Sequence, residues 1–207
     1  MKSPYGLVFA ALYDAVFLRA ERSGLRAMRQ DLLSQCTGSV LEIGAGTGLN
    51  IRHYDAGLAR LVLTEPEAHM AAKLRAAVTR AGSAADVIEA PAESLPFPDA
   101  TFDTVVSTLV LCTVPSPDAV VREVKRVLKP GGRFLFIEHV RSDSRRLAGW
   151  QDRLSKPWSL FACGCQCNRN TLETIQRGFA IEQVSRDRLI GLTSLVRPLV
   201  RGQARAA

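Results

Sequence analysis

The stretch from Leu41 to Gly48, LEIGAGTG, decides the fold of this chain. Its apolar part, Val40 to Ile43, reads as a β-strand, and three glycines follow at alternate positions. Glycine lets the backbone turn sharply and lets it approach a ligand closely, because no Cβ intervenes. The stretch therefore predicts a strand, a ligand-binding turn and the start of a helix.

The rest of the chain alternates short apolar runs with helical patterns, as βαβ proteins do. Further strands are predicted at residues 61–64, 86–89, 102–107, 133–137, 179–184 and 194–204, and helices at 67–80 and 118–129. Strands as apolar as the central ones are buried on both faces, which requires helices on both sides. The sequence thus predicts a Rossmann-like, doubly wound α/β fold with a seven-stranded, mostly parallel sheet and helices on both faces.

Length and pattern together predict one domain. The chain has 207 residues, and single domains commonly run to about 100–200 residues or somewhat more. The expected parts are an N-terminal helical cap at 1–38, a cofactor-binding core at 39–141, a substrate-cap region at 142–178 and closing strands at 179–207. The oligomeric state is left open.

The amino-acid composition limits the kinds of binding partner that we expect for this chain. The chain is 47% apolar and 23% charged, which is ordinary for a globular protein, and its net charge is +7. A basic balance suits an anionic ligand or an acidic membrane surface. No basic block is interleaved with aromatic residues, so we expect no nucleic-acid partner.

The N-terminal segment is too short to cross a membrane. Its apolar stretch, Leu7 to Leu18, has about twelve residues, whereas a spanning helix needs about 20. Four aromatic residues recur every four positions on one face of a predicted helix: Tyr5, Phe9, Tyr13 and Phe17. The stripe fits internal packing or a helix lying on a membrane surface, and both interpretations stay open.

The cysteine count indicates a reducing compartment. The five cysteines are Cys36, Cys112, Cys163, Cys165 and Cys167. An odd number argues against a secreted disulfide framework. We expect a cytoplasmic protein, with membrane association through the N-terminal helix left open.

The glycine turn and two carboxylates indicate which ligand the turn holds. Leu49 breaks the Gly-x-Gly-x-x-Gly dinucleotide fingerprint, and no Lys-Ser or Lys-Thr pair makes a P-loop. Glu42 is expected to face the pocket, where its charge repels pyrophosphate and attracts an ammonium or a sulfonium. Glu65, 21 residues after Gly44, is placed to accept the ribose hydroxyls. S-adenosylmethionine fits both carboxylates; the alternative is that both are solvated strand-end charges.

Five segments carry a family resemblance: residues 41–48, 64–66, 92–97, 102–114 and 127–140. Together they resemble the class I S-adenosylmethionine-dependent methyltransferases. The resemblance implies that the glycine turn lies under the methionine part, that Glu65 holds the ribose, and that later segments flank the adenine and the methyl group. The cofactor-binding residues so expected are Glu42, Gly44, Ala45, Gly46, Gly48, Glu65, Pro66, Ala92, Glu93, Thr108 and Leu109.

One position departs from the family pattern. Relatives usually carry an aspartate directly before the Ala-Glu pair, where it accepts a bond from the adenine amine. This chain has Pro91 there, which offers neither a carboxylate nor a backbone donor.

Within the class, the chain is most similar to the alkyl-thiol methyltransferases, through residues 107–114, 136–140, 158–165 and 195–198. This resemblance implies a small apolar acceptor, with an alkyl thiol or sulfide first. A thiol has a pKa near ~8.5, so part of it is thiolate at neutral pH without a base. The enzyme alternatives are a lipid headgroup amine and a quinone or phenol. Two further alternatives are a binding module without turnover and a nicotinamide oxidoreductase.

Two residues are predicted to serve catalysis at the acceptor. His139 is the best general-base candidate, because imidazole titrates near ~6.5; the alternative is a histidine hydrogen-bonded at a strand end. Cys112 is expected to face the acceptor, or else to be a small apolar filler. Glu138 is expected to be a hydrogen-bonded wall residue.

No metal site is predicted. Cys163, Cys165 and Cys167 alternate along the chain, whereas structural zinc sites prefer two or more residues between paired cysteines. The histidines are far away in sequence. No tight acidic cluster indicates magnesium.

Irregular segments outside the sheet usually supply specificity. We expect residues 5–20 and 145–170 to cap an apolar acceptor pocket. The aromatic residues expected in this cap are Tyr5, Tyr13, Trp150, Trp158 and Phe161.

Overall fold

A computed structural model of the protein describes residues 17–162 and 164–206. Seven strands form one sheet in the order β3-β2-β1-β4-β5-β7-β6. The strands are β1 (Ser39–Ile43), β2 (Arg60–Thr64), β3 (Asp86–Ile88), β4 (Phe102–Thr108), β5 (Leu128–His139), β6 (Phe179–Arg188) and β7 (Pro198–Ala206). Every pairing in it is parallel except the two made by β7, which runs antiparallel to both of its neighbours. The predicted seven-stranded, mostly parallel sheet is confirmed.

Helices cover both faces of the sheet. They are α1 (Arg26–Leu33), α2 (Ala68–Arg80), α3 (Pro117–Val127), α4 (Arg145–Phe161) and α5 (Thr171–Gly178). Successive residues of β4, Val105 and Val106, belong to opposite clusters of the core, because side chains alternate across a strand. The first cluster includes apolar residues of α3 and α5, and the second includes those of α1. A third cluster packs α2 against β2.

At two predicted boundaries the structure forms a different kind of element from the one expected. The helix predicted to reach Lys129 ends at Val127, and β5 begins directly at Leu128, which is buried and pairs with Phe102. The last strand was expected from residue 194, but Ser194–Val196 forms a 3-10 turn and β7 begins at Pro198. In both places tertiary pairing, and not the local pattern, sets the end of the element.

The start of the described chain contains a kinked helix. The segment Glu21–Leu25 is a π-helical turn in which Gly24 has a φ of 125°, and α1 follows it. The aromatic stripe at Tyr5, Phe9 and Tyr13 lies outside the described residues. No helix in the described part of the chain combines the length and the apolar character needed to cross a bilayer.

Candidate functional site

The three glycines of the turn after β1 differ in the space that surrounds them. All have positive φ, 58° at Gly44, 60° at Gly46 and 88° at Gly48. A Cβ at Gly44 would lie 2.7 Å from a Val110 methyl carbon, and one at Gly48 would lie 2.5 Å from the Ile51 Cδ1 atom. A Cβ at Gly46 would meet only the Met70 methyl carbon, at 3.6 Å. Packing therefore requires glycine at positions 44 and 48, whereas the space beside the Gly46 backbone is open.

Glu65 lies beside this open glycine. Its carboxylate accepts hydrogen bonds from the Gly46 N–H at 2.9 Å and from the Glu67 N–H at 3.0 Å. Burial raises the pKa of Glu65, and the two backbone hydrogen bonds oppose that rise. The carboxylate is thus fixed at the end of β2, next to the turn. Pro66, which follows it, is exposed.

Glu42 lies behind the turn. Its side chain was expected to face the ligand pocket, whereas in the structure it is enclosed by neighbouring side chains. Its side chain is buried because Asn50 and Tyr54 enclose it, with Asn50 Nδ2 donating at 2.8 Å and the Tyr54 hydroxyl at 2.7 Å. Burial raises the pKa of Glu42 to about 7, against the hydrogen bonds from Tyr54 and Asn50. Attraction of a cationic ligand by Glu42 stays a prediction.

A buried polar network connects this carboxylate to the N-terminal helices. Arg29 forms a salt bridge with Glu21 at 2.9 Å and donates to Asn50 Oδ1 at 2.8 Å. Asn50 also donates to Thr108 Oγ1 at 3.1 Å, so one side chain orients both Glu42 and Thr108. Sequence reasoning missed this network. A signal existed, because Arg29 falls on the apolar stripe of α1, four residues after the buried Leu25.

The loop after β4 contains a strained residue. Leu109 has a φ of 61°, which is costly for a side chain other than glycine. Its N–H donates to the Ile137 carbonyl at 2.8 Å, and this bond holds it in place. Thr108 and Leu109 therefore lie between the Asn50 network and Cys112, whose thiol donates to the Leu109 carbonyl at 3.6 Å.

Glu138 fixes the same loop from β5. Its carboxylate accepts from the Ser107 hydroxyl at 2.5 Å and from the backbone N–H groups of Val110 and Leu111, both at 3.1 Å. The hydrogen bonding expected of Glu138 is confirmed.

The segment expected beside the adenine follows β3. Ala92 is buried in the core, and the half-buried Glu93 accepts a long hydrogen bond from the Ser116 N–H at 3.4 Å. Pro91 is exposed. The adenine-binding role of Ala92 and Glu93 stays a prediction.

Beyond the ends of β4 and β5, the structure brings together three residues that are distant in sequence. A nitrogen of His139 and the sulfur atoms of Cys112 and Cys165 all lie within 4.8 Å of one another, and all three residues are buried. Burial lowers the pKa of His139 to about 4, with the Pro198 and Val196 carbonyls opposing the shift. The Cys112 thiol lowers the pKa of Cys165, while this contact and burial raise the pKa of Cys112. The cluster was not foreseen.

The aromatic residues of the predicted cap lie in different surroundings, and the cap itself stays a prediction. Trp158 packs against the cluster that contains Cys112 and Cys165. In contrast, Trp150 and Phe161 are 49% and 80% exposed, so neither is buried in the cluster that contains Cys112 and Cys165. They lie on the solvent side of α4, where Arg153 stacks over Trp150. Tyr5, Tyr13 and Cys163 lie outside the described residues.

Comparison with known proteins identifies the family of the chain. The profile of a family described as "Methyltransferase domain" matches residues 41–136. The chain is 31% identical to the human thiol S-methyltransferase TMT1A, over 97% of this chain and 84% of that protein. It is 32% identical to a phosphatidylethanolamine N-methyltransferase of Cereibacter sphaeroides, over 86% of this chain and 81% of that protein.

The fold also occurs in solved structures of methyltransferases. A Thermotoga maritima S-adenosylmethionine-dependent methyltransferase, described as a possible histamine N-methyltransferase, superposes with a TM-score of 0.71. The alignment covers 98% of this chain and 99% of that chain at 21% identity, and at that identity it shows the fold alone.

The residues of the turn fit the ligand of this family. The Gly46 backbone is open on the side where a Cβ would otherwise stand, and the fixed Glu65 carboxylate lies within hydrogen-bond distance of it. A carboxylate at the end of the second strand suits a ribose, and the absent Cβ allows close approach of a nucleoside. Together with the similarity over nearly its whole length, this shows that the chain belongs to the S-adenosylmethionine-dependent methyltransferases.

Proposed function

We propose that this methyltransferase acts on the sulfur of a small apolar thiol. The observation that carries the proposal is the near full-length similarity to a human thiol S-methyltransferase. The region after β4 and β5 supports it, because it is built from apolar and sulfur-bearing side chains. Cys112, Cys165 and Val196 form a buried cluster there, on which Trp158 packs.

The chemistry of the acceptor supports the same choice. When bound, S-adenosylmethionine supplies an electrophilic methyl group on a positively charged sulfur. The chain then has to orient the nucleophile and exclude water, an effect worth about 7–11 kcal/mol in well-oriented reactions. A thiol suits such a site, because it needs no strong base at neutral pH.

We assign the roles of the site residues as follows. The turn at Gly46 carries the methionine part, Glu65 and Pro66 the ribose, and Ala92 and Glu93 the adenine. Thr108 and the strained Leu109 form the floor beside the methyl group. Gly44, Ala45 and Gly48 shape the turn, the Glu42 charge favours the cationic ligand from behind it, and Cys112 and His139 border the acceptor.

The division of the chain and its compartment are also proposals. A helical cap at 1–38 and the region 142–178 would enclose the acceptor over the core at 39–141, with the strands at 179–207 completing the sheet. The described cysteines Cys36, Cys112, Cys165 and Cys167 are free thiols, which supports a reducing, cytoplasmic location.

The test is transfer of a radiolabelled methyl group from S-adenosylmethionine to a panel of acceptors. The panel contains hydrogen sulfide, ethanethiol, phenol, a short-chain quinol and phosphatidylethanolamine vesicles. We expect label in methanethiol from hydrogen sulfide and in the thioether from ethanethiol, and at least about tenfold less label with a Glu65→Ala variant at limiting cofactor. Label in the phenol, quinol or lipid but in neither thiol would refute the proposal.

A lipid headgroup amine is the second candidate. The similarity to a phosphatidylethanolamine N-methyltransferase favours it. So does the outer face of α4, where Trp150 and Leu154 are exposed beside Arg146 and Arg153. A basic face with exposed apolar residues suits an anionic membrane surface. Label in phosphatidylethanolamine that disappears with a Trp150→Ser, Leu154→Ser double variant would favour this candidate.

A further inference from the structure

The cluster of Cys112, His139 and Cys165 is an arrangement of donor atoms that the family assignment does not use. Cys112 lies in the loop after β4, His139 is the last residue of β5, and Cys165 lies between α4 and α5. The two sulfur atoms and one imidazole nitrogen lie within 4.8 Å of one another. The three residues are 1%, 4% and 7% exposed, so the donors face the protein interior.

The histidine supplies an independent observation. His139 Nδ1 is buried and has no hydrogen-bond partner among the described residues. Buried polar atoms are nearly always partnered, so an exception needs an explanation. The Pro198 and Val196 carbonyls lie close enough to act on the imidazole ring. When one ring nitrogen donates its proton to a carbonyl, the other nitrogen is free to bind a metal. Metal-binding histidines usually have such a carbonyl or carboxylate partner.

The donor set is specific for a soft or borderline metal ion. Two thiolates and an imidazole suit zinc, whereas magnesium and calcium prefer oxygen ligands. With Zn–S bonds of ~2.3 Å in a tetrahedral site, two sulfur ligands are about 3.8 Å apart. Donor atoms already within 4.8 Å therefore need to move by only about 1 Å. Two thiolates also neutralise the charge of a divalent ion, and the side chains of Glu138 and Arg169 lie close enough to act on both cysteines.

Three protein ligands leave one coordination position vacant. Structural zinc sites use four protein ligands, and sites with three keep the fourth for water or a substrate. Cys167 is buried in the same apolar cluster, but its sulfur does not belong to the group of three donors. The vacant position adjoins the acceptor region, because the Cys112 thiol contacts the carbonyl of the strained Leu109.

We infer that Cys112, His139 and Cys165 bind a zinc ion whose fourth position takes the sulfur of the acceptor thiol. The second part rests on the proposed function. The thiol gives its proton to solvent as its sulfur replaces the metal-bound water. The sulfur then forms a bond to the methyl carbon while the bond from that carbon to the sulfonium sulfur breaks. The products are the thioether, S-adenosylhomocysteine and one proton. In this arrangement His139 is a metal ligand and not the predicted general base.

Zinc binding is tested without reference to activity. The full chain is stripped with a chelator, reloaded with zinc, dialysed, and analysed by mass spectrometry of the metal. We expect one zinc ion per chain, and an affinity at least about tenfold lower in Cys165→Ser and His139→Gln variants. Cys36→Ser is the matched control, because Cys36 is also a buried free cysteine but lies under α1, outside the cluster. Equal zinc affinity in all four proteins would overturn the site.

Cobalt substitution tests the ligands in the wild-type chain, so the result does not depend on whether a variant folds. Cobalt bound by two thiolates gives a near-ultraviolet charge-transfer band, and the absence of this band would overturn the site. Added ethanethiol should raise the intensity by about half, because a third thiolate joins the two of the protein. A thiolate band that ethanethiol leaves unchanged would overturn acceptor binding at the metal.

These results are separable from the proposed function. Methylation of thiols by a protein that binds no metal would refute the zinc site and leave the thiol acceptor in place. A zinc-binding protein that methylates no thiol would refute the acceptor, and with it the role of the fourth position, while the site itself would stand.

Discussion

Replacing Glu42 by glutamine should make the protein more stable at alkaline pH and weaken its hold on the cationic cofactor. Glutamine keeps the shape of the side chain. Its carbonyl can accept from Asn50, and its amide can donate to the Tyr54 oxygen, so the two enclosing contacts survive. The change removes only the requirement to bury a charge.

The expected size follows from the pKa shift. Burial raises the pKa of Glu42 from 4.5 to about 7, and at about 1.4 kcal/mol per pKa unit the difference corresponds to about 3 kcal/mol. The folded chain holds this proton more tightly than the unfolded chain. The stabilising contribution is therefore complete below pH ~4.5 and is lost as the pH rises through ~7. The variant should exceed the wild type by about 3 kcal/mol at pH 8 and by less than about 1 kcal/mol at pH 5.

The assay is urea unfolding of both proteins at the two pH values, followed by tryptophan fluorescence. Glu173→Gln, a change of the same chemistry at an exposed position, should show no such dependence. Calorimetry should show that wild-type affinity for S-adenosylmethionine rises with pH through ~7, whereas that of the variant does not. An identical free energy of unfolding for variant and wild type at pH 8 would refute the argument.

Three further changes probe the site. Gly46→Ala should abolish cofactor binding in calorimetry. It should cost only about 1–2 kcal/mol of stability, because the added Cβ has space in the folded chain. Gly48→Ala should destabilise the protein more, because its Cβ would overlap Ile51. Glu65→Ala should weaken cofactor binding by about 1.5–3 kcal/mol in the same assay, and unchanged affinity would argue against its ribose role. Arg29→Met should lower the free energy of unfolding by about 3–5 kcal/mol, because it leaves Glu21 buried and unpaired; a chemical denaturation curve matching wild type would contradict this.

The fold was predictable because the sequence patterns that indicate it are each confined to a few neighbouring residues. Apolar runs, glycine stops and the LEIGAGTG turn each lie within a few residues, and they predicted all seven strands. The wrong element boundaries lie where pairing between residues that are distant in sequence determines the structure. Leu128 joins β5 because it pairs with Phe102, and no local pattern reports that contact.

The site was only partly predictable for the same reason. Gly46 and Glu65 stand in a motif with fixed spacing, so the sequence identified them, and the structure places them side by side. Asn50 and Arg29 act through a network that spans three elements. The cluster at His139 also depends on topology, because the ends of β4 and β5 lie together only in the folded sheet.

The position of β7 between β5 and β6 has a consequence for synthesis of the protein. This strand is the last in sequence, yet it fills an interior place in the sheet and makes hydrogen bonds on both of its sides. While the chain is still emerging from the ribosome, β5 presents an open edge and β6 has no neighbour to pair with. Exposed strand edges invite association with other chains. Until β7 joins the sheet, the unpaired edges of β5 and β6 are therefore where we expect an incompletely folded chain to associate with other chains.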